Sequence, residues 1–583
     1  MSQLTKEEIC DRLDEIGLML ELQGENPFKV RAYTNGSRAL RSLDGSIDDL
    51  ISGGKLQGVK GIGSALQQKI AELAKTGSLE VYDQLKSSIE PGLMDMLDIP
   101  GMGPKKVIAV KQQLGVTDIA GLEKACRDGL VEALPGFGKK TQQKIIEGIE
   151  FRRTHGTHIR LDVARHWADR IYESLRSHPD VIRCSVAGSY RRSKEIIGDL
   201  DFLVSTNNPG ALIEFFTHLE GVAEILVQGD TKVSVRLAQG TQADLRIMAD
   251  GEFPFALHYF TGSKEHNIAM RQRAIQRGLR LNEYGLFKSK QETRDPSLRI
   301  SCNTEEDIFR ELGLAYIPPE MREDMGEFTL AENDRIPQLV EWHQLKGSLH
   351  NHTNWSDGRN SLEETAEFMI ELGLEYWAIT DHSKSSFQAN GLDEDRLIRQ
   401  LEAIEAVNRD LRERGEQFQL LSGSEVDILT GGKLDFADDI LERLDVVVAS
   451  VHNGFTQKRD VMTARIIKAV ENPHVHILGH VSGRLLLERD AYEIDIDKII
   501  DACAANGTCI ELNASPYRLD MDWRYWRRAA EKGVLCAINP DAHRNEHASF
   551  LRLATGVARK AGLTADHILN TRPLDKLKQY LRK

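Results

Sequence analysis

The sequence predicts a multidomain α/β chain with a helical N-terminal region, a mixed α/β middle and a C-terminal barrel or doubly wound sheet. Three observations carry that expectation. The chain has 583 residues, more than one hydrophobic core organises at ~100–200 residues per domain. A five-residue pattern, apolar–x–Gly–apolar–Gly, occurs three times before residue 140. Strand-like apolar runs alternate with amphipathic helical stretches through residues 346–583, the texture of repeated β–α units.

Composition narrows the class further. Apolar residues make up 41% and charged residues 28%, which excludes disordered, collagenous and coiled-coil chains. No run approaches ~18 consecutive apolar residues, and Met1–Glu8 carries acids with no apolar core, so neither a membrane span nor a secretory leader is expected. Seven cysteines with no C-x-x-C pair fit reduced thiols in a cytoplasm better than a disulfide framework. The net charge of −14 argues on its face against nucleic acid. Its distribution does not: residues 101–200 hold 18 Lys+Arg against 12 Asp+Glu, and residues 301–345 hold 3 against 11. A polyanion would meet the middle of the chain.

The repeated pattern reads Val59-Lys-Gly61-Ile-Gly63, Ile99-Pro-Gly101-Met-Gly103 and Leu134-Pro-Gly136-Phe-Gly138. Each copy opens a helix-like stretch: SALQQKIAEL, PKKVIAVKQQL and KKTQQKIIEGI. Paired glycines let the backbone turn tightly, and a following helix N-terminus aims free N–H groups at an anion. Lys105, Lys106, Lys139 and Lys140 add charge there. Three turns that merely need glycine are the plainer alternative; three copies with lysines weigh against it. The pattern resembles the helix-hairpin-helix motif, which grips nucleic-acid phosphates without reading sequence.

From about residue 180, strands are expected at Arg183–Ala187, Leu200–Val204, Lys232–Leu237 and Ala243–Met248. Gly188-Ser189-Tyr190-Arg191-Arg192 precedes Gly198-Asp199-Leu200-Asp201. Strand alternation puts Asp199 and Asp201 on one side, ~7 Å apart, and Asp244 joins them if its strand pairs with theirs. Three carboxylates on one sheet face are costly unless cations neutralise them; two divalent ions ~4 Å apart would do so and would serve phosphoryl transfer. Gly188 and Ser189 offer backbone N–H groups to a triphosphate, and Arg192 a guanidinium fork. A lone D-x-D is usually a solvated strand face, but here the Gly-Ser pair and a third Asp accompany it.

This constellation resembles the nucleotidyltransferase superfamily. Tyr259-Phe-Thr-Gly-Ser263, Asn267, Arg271 and Asn282-Glu283-Tyr284 resemble the thumb of family X DNA polymerases. The resemblance covers roughly residues 1–317. It implies a nucleotide site of Gly188, Ser189, Arg192, Gly198, Tyr259, Phe260, Gly262 and Asn267, with Arg271 against the template strand. Lys264, where many relatives carry an acid, either strengthens triphosphate binding or points to solvent. Lys69 stands where the family's lyase nucleophile would sit, and a phosphate-contacting or solvent lysine is the other reading.

Residues 346–583 hold ten of the 18 histidines. His350, His352, Asp357, His382, Glu425, His452, His480, Asp541 and His543 mostly follow strand-like runs and arrive largely in pairs. The mixed imidazole and carboxylate set suits zinc, manganese or iron better than magnesium or calcium. Gly347-Ser-Leu-His-Asn-His352, Thr380-Asp-His-Ser383, Ser424-Glu425, Ser450-Val-His452, Gly479-His480 and Asn539-Pro-Asp-Ala-His543 resemble the motifs of the polymerase and histidinol phosphatase (PHP) domain. That resemblance implies a distorted (β/α)7 barrel with a trinuclear Mn²⁺, Zn²⁺ or Fe²⁺ site held by all nine residues.

The domains expected are a hairpin domain at 1–88, a fingers-like domain with two hairpins at 89–150, and a nucleotidyltransferase palm at 151–248. A thumb at 249–317, a Pro- and acid-rich linker at 318–345 and the PHP domain at 346–583 follow. The whole resembles a repair polymerase that fills short gaps with Mg²⁺ or Mn²⁺ at Asp199, Asp201 and Asp244. Its expected partners are gapped or primer–template DNA and deoxynucleoside triphosphates. The barrel would hydrolyse phosphodiesters as a 3′–5′ exonuclease, abasic-site cleavage being a further option. A monomer in the cytoplasm, associated with the nucleoid, is expected. The rivals are a non-catalytic DNA-binding scaffold and a small-molecule phosphoesterase.

Overall fold

The computed structural model describes residues 4, 6–41, 43, 47–97, 99, 102–155, 158–289 and 293–582. It divides into two compact units, residues 1–156 and 157–583. Among the described residues, no helix is long and apolar enough to cross a membrane.

The first unit is helical. The three stretches expected to open helices do so, at Ser64–Thr76, Pro104–Leu114 and Lys139–His155. Pro104 occupies a first-turn position, where its missing N–H costs nothing. Gly63 and Gly103 cap the first two of these helices with no side-chain hydrogen bond, so first-turn N–H groups are left for another acceptor. Gly61, Gly136 and Gly138 have φ of 101°, 82° and 133°, where a side chain is strained. Gly101 lies outside the described residues.

The second unit holds two sheets. The five-stranded palm sheet runs Val181–Val186, Asp199–Thr206, Gln242–Met248, Lys232–Leu237, Val222–Gln228 in spatial order. Its second and third strands are parallel and the other pairs antiparallel. The second sheet has seven parallel strands in chain order, from Gly347–Ser348 to Cys536–Asn539. A parallel bridge between Asn351 and Ala542 joins its two ends into a nearly closed barrel. Strands Tyr376–Ile379 and Val446–Ser450 are buried throughout, which is why they read as unbroken apolar runs rather than alternating ones.

Residues 318–345, expected as a linker, are packed. They include a helix at Glu327–Glu332, and Arg322 is fully buried, donating to Glu305 at 2.6 Å and to the Ile317 carbonyl. The palm also touches the barrel directly. Arg484 pairs with Glu195 at 3.0 Å, and the Arg160 guanidinium lies 3.7 Å from the Tyr517 ring centre.

Candidate catalytic centres of the palm and the barrel

In the palm, the parallel pairing of Asp199–Thr206 with Gln242–Met248 sets Asp201 directly opposite Asp244. The three aspartates share one sheet face, as strand alternation requires. Burial pushes the Asp201 carboxyl up, and Asp199 and Asp244 add to it, to about 7. Asp199 is raised by the same causes, burial first and then Asp244. Burial alone would raise Asp244 too, but Lys232 at 2.9 Å and Gln242 at 2.8 Å outweigh it and hold it low. Lys232 on Asp244 and Arg246 near Asp201 offset only part of the charge of three carboxylates. That excess fits divalent cations on hard oxygen ligands.

Gly188 packs against this face. Its φ is 63°, and a Cβ there would meet Asp201 Oδ2 at 2.1 Å. Only glycine lets the loop approach so closely. The neighbouring Ser189 hydroxyl is buried without a hydrogen-bond partner. Gly198 lies ahead of Asp199, facing His158. Arg192 is nearly buried and already engaged: it donates to Glu323 at 3.0 Å and to the Thr261 carbonyl, while its own carbonyl accepts from Lys560 at 3.1 Å. The expected fork is thus held by its neighbours rather than open to solvent. Gly262 sits against the same guanidinium, and a Cβ there would meet Arg192 Nη1 at 3.1 Å. Tyr259 and Phe260 form an edge-to-face pair with ring centres 5.2 Å apart. Asn267 donates to the Tyr259 carbonyl at 2.7 Å, leaving its own Oδ1 buried and unpartnered. Lys264 and Arg271 are exposed on helix Lys264–Gln276.

In the helical unit, Lys69 hydrogen-bonds the Tyr33 hydroxyl and lies 4.8 Å from that ring's centre. Lys105, Lys139 and Lys140 are exposed, and Lys106 lies 5.9 Å from the Phe137 ring centre.

All nine barrel residues converge at one end of the strands. Glu425 is central: its carboxylate lies 2.9 Å from His382 Nδ1, 3.0 Å from His480 Nε2, 3.2 Å from His452 Nε2 and 3.4 Å from His350 Nε2. Asp541 is 3.1 Å from His352 Nε2, and Asp357 is 3.4 Å from His543 Nε2. Three overlapping groups have the spacing of a metal site: His352, Asp357, His382 and His543; His350, His352 and Asp541; and His382, Glu425 and His452. Although close, His350 Nε2, His352 Nδ1, His382 Nδ1 and His480 Nδ1 have no hydrogen-bond partner. His350, His352 and His382 belong to the groups just named, and a borderline-soft cation fits between those side chains; His480 instead turns Nε2 toward Glu425.

Burial depresses His350, yet Glu511, Glu425 and Asp541 outweigh it and raise it well above the ordinary imidazole value. His352, buried and flanked by His543 and His382, falls to about 4. The two imidazoles are thus driven in opposite directions by the charges nearest each.

Several side chains that sequence reasoning missed complete this site. Glu511, fully buried, takes His350 Nδ1 at 2.7 Å, and Asp427 takes His452 Nδ1 at 3.0 Å. Each carboxylate fixes a tautomer and turns Nε2 toward the centre. Asp381 binds Thr353 and Gln400. The E-x-D spacing of Glu425 and Asp427 on one strand face was the available signal; Glu511 had none beyond its strand.

Comparison with known proteins gives matches along most of the chain. Residues 5–79 match a helix-hairpin-helix domain, 93–150 a SAM-like helix-hairpin-helix tandem, 256–323 a DNA polymerase beta thumb and 348–515 a PHP domain. The DNA polymerase/3′-5′ exonuclease PolX of Bacillus subtilis (strain 168) is 38% identical over 583 residues, 99% of each chain. A probable phosphatase of Thermoanaerobacter sp. (strain X514) is 32% identical over 246 residues, 40% of this chain and 93% of its own. DNA polymerase lambda of Rattus norvegicus is 24% identical over 340 residues, 54% of this chain and 56% of its own. Identity sustained across the full length, with hairpin, thumb and PHP modules along it, shows that the chain belongs to the family X DNA polymerases of the PHP-bearing PolX type, DNA polymerases with a 3′–5′ exonuclease.

Proposed function

We propose that the protein fills short gaps in DNA at the palm and degrades 3′ ends in the barrel. The observation that carries the polymerase half is the register of Asp201 opposite Asp244, with Asp199 on the same face and Gly188 packed against Asp201. In this reading the primer 3′-hydroxyl attacks the α-phosphorus of a deoxynucleoside triphosphate; the new O–P bond forms as the bond to pyrophosphate breaks. Asp199, Asp201 and Asp244 would hold two Mg²⁺ or Mn²⁺ ions, which neutralise the phosphates and acidify the attacking hydroxyl. The chain's own groups do the positioning. The Gly188–Ser189 backbone and the Ser189 hydroxyl receive phosphate oxygens, Arg192 is aimed by Glu323, Tyr259 and Phe260 pack against the sugar, and Asn267 Oδ1 faces the base. The hairpins hold the DNA backbone through Lys105, Lys106, Lys139 and Lys140 and the helix N-termini behind Gly63 and Gly103. Lys69, tied to Tyr33, serves as a lyase nucleophile only if that hydroxyl releases it.

In the barrel the nine residues would hold Mn²⁺, Zn²⁺ or Fe²⁺, supplying a nucleophilic water near neutral pH. Glu511 and Asp427 keep His350 and His452 in the ligating tautomer. A second reading, hydrolysis of a small phosphoester, is favoured by the phosphatase similarity alone. One incubation separates the readings: labelled gapped and ungapped primer–templates, with and without deoxynucleotides and manganese, resolved on a gel. Extension with nucleotides and shortening without them, faster extension in gaps, is the expected result. Inert DNA ends together with turnover of histidinol phosphate would replace the nuclease reading by the phosphoesterase one.

A further inference from the structure

The barrel cluster opens into a cavity of about 430 Å³ lined by His382, Glu425, His452, Asp541 and Arg518. At its rim stands Phe387, 80% exposed. Single exposed apolar residues are ordinary on protein surfaces; this one is held out by a braced turn. Ser385 binds Asp435 through both its N–H and its hydroxyl, each at 2.7 Å. Ser386 donates to Asp427 at 2.6 Å and lies 3.3 Å from His452 Nδ1, so the residue before Phe387 touches the cluster itself. Beyond it, the Asn390 N–H binds the Phe387 carbonyl at 3.1 Å, and its side chain binds the Trp355 carbonyl at 3.2 Å. Both flanks are fixed, and the ring stays in water.

We propose that Phe387 is a stacking platform for a nucleobase, that of the terminal nucleotide whose phosphodiester enters the cavity. Every base offers a π-face, so one aromatic ring at the rim serves all four without reading sequence, as degradation of an arbitrary 3′ end requires. Arg518, in the same cavity and 4.0 Å from Asp541, offers a cation to the phosphate backbone. The proposal rests on the exonuclease reading of the barrel and names its substrate subsite.

The test uses the full chain with manganese and two labelled strands, one ordinary and one ending in a tetrahydrofuran residue that keeps the phosphodiester but lacks the base. For wild type, the ordinary strand should show a KM lower by about 10-fold or more, within the range of base–aromatic stacking. Phe387→Ala should raise KM for the ordinary strand to that of the baseless one, with kcat and bound metal unchanged, and Phe387→Trp should restore it. Equal KM for the ordinary strand in wild type and Phe387→Ala, or an equal loss on both strands, overturns the stacking role. Wild-type protein that degrades neither strand overturns the exonuclease reading beneath it.

Discussion

The palm and the barrel meet the same problem, anionic side chains gathered where phosphate chemistry is expected, in opposite ways. The palm gathers three carboxylates on one sheet face, Asp199 exposed and Asp244 buried, with Lys232 against the latter. The barrel encloses six imidazoles and three carboxylates, with Glu511 and Asp427 orienting the rings from behind. Oxygen-only sites hold hard cations loosely and leave positions for substrate oxygens, whereas mixed nitrogen and oxygen sites hold transition ions firmly. On the proposed function, the difference sets where each ion would belong: with the incoming nucleotide in the palm, with the protein in the barrel.

The largest expected effect breaks the pair apart. Asp201→Ala should lower primer extension by roughly 10³-fold or more while 3′-end degradation continues, as for loss of groups acting on the transition state. His452→Ala or Glu425→Gln should do the reverse and also reduce the transition metal that survives gel filtration, with circular dichroism unchanged. Equal loss of both activities in a folded variant would show that the sites are not separate.

A second effect concerns what holds the palm loop and thumb. Burial pushes the Glu305 carboxyl up, but Arg322 and Arg191 outweigh it and hold it at about 2. Its folded pKa lies below the unfolded value near 4.3, so protonation favours unfolding. The stabilisation is complete above about pH 4.5 and fades as pH falls toward 2. Glu305→Gln should cost about 3 kcal/mol near neutral pH and flatten the acid limb of the denaturation curve, with barrel-bound metal unaffected. An unchanged acid limb would remove Glu305 as the cause.

The smallest effect tests the independence of the two regions. The barrel follows segment 318–345, expected as a linker, yet it and the palm are joined by direct contacts. Lys560, on barrel helix Phe550–Lys560, donates to the Arg192 carbonyl and pairs with Glu323, and Gly556 leaves room for Ser193, where a Cβ would meet the hydroxyl at 2.8 Å. Lys560→Met should raise the nucleotide KM by about 3- to 10-fold, the order of one ordinary net hydrogen bond, with 3′-end degradation intact. An unmoved KM would make the contact purely architectural.

How much was legible follows from how local each signal is. Strand Lys232–Leu237 and the three hairpin helices were readable because apolar periodicity, glycine and proline are written in consecutive residues. The aspartate face needed one nonlocal fact, the pairing of strands 40 residues apart, and the structure supplies it. Strand Gln419–Asp427, which carries Glu425, escaped notice because Ser422-Gly423-Ser424 interrupts its apolar run. Gly423 is required there: a Cβ would meet the Val446 carbonyl at 2.6 Å. Glu511 and Lys560 could not be read at all, since a buried acid and a buried lysine look like surface residues until their partners are known.

The Lys560–Arg192 contact spans 368 positions of the chain, and its consequence is one of timing. At 5–20 residues per second, the ribosome delivers Arg192 on the order of 20–70 s before Lys560. Throughout that interval Arg192 has only the Thr261 carbonyl and Glu323 to hold it. A nascent chain therefore gives the palm loop its last support only when barrel helix Phe550–Lys560 has been made, so the palm acquires its final contacts at nearly the end of synthesis.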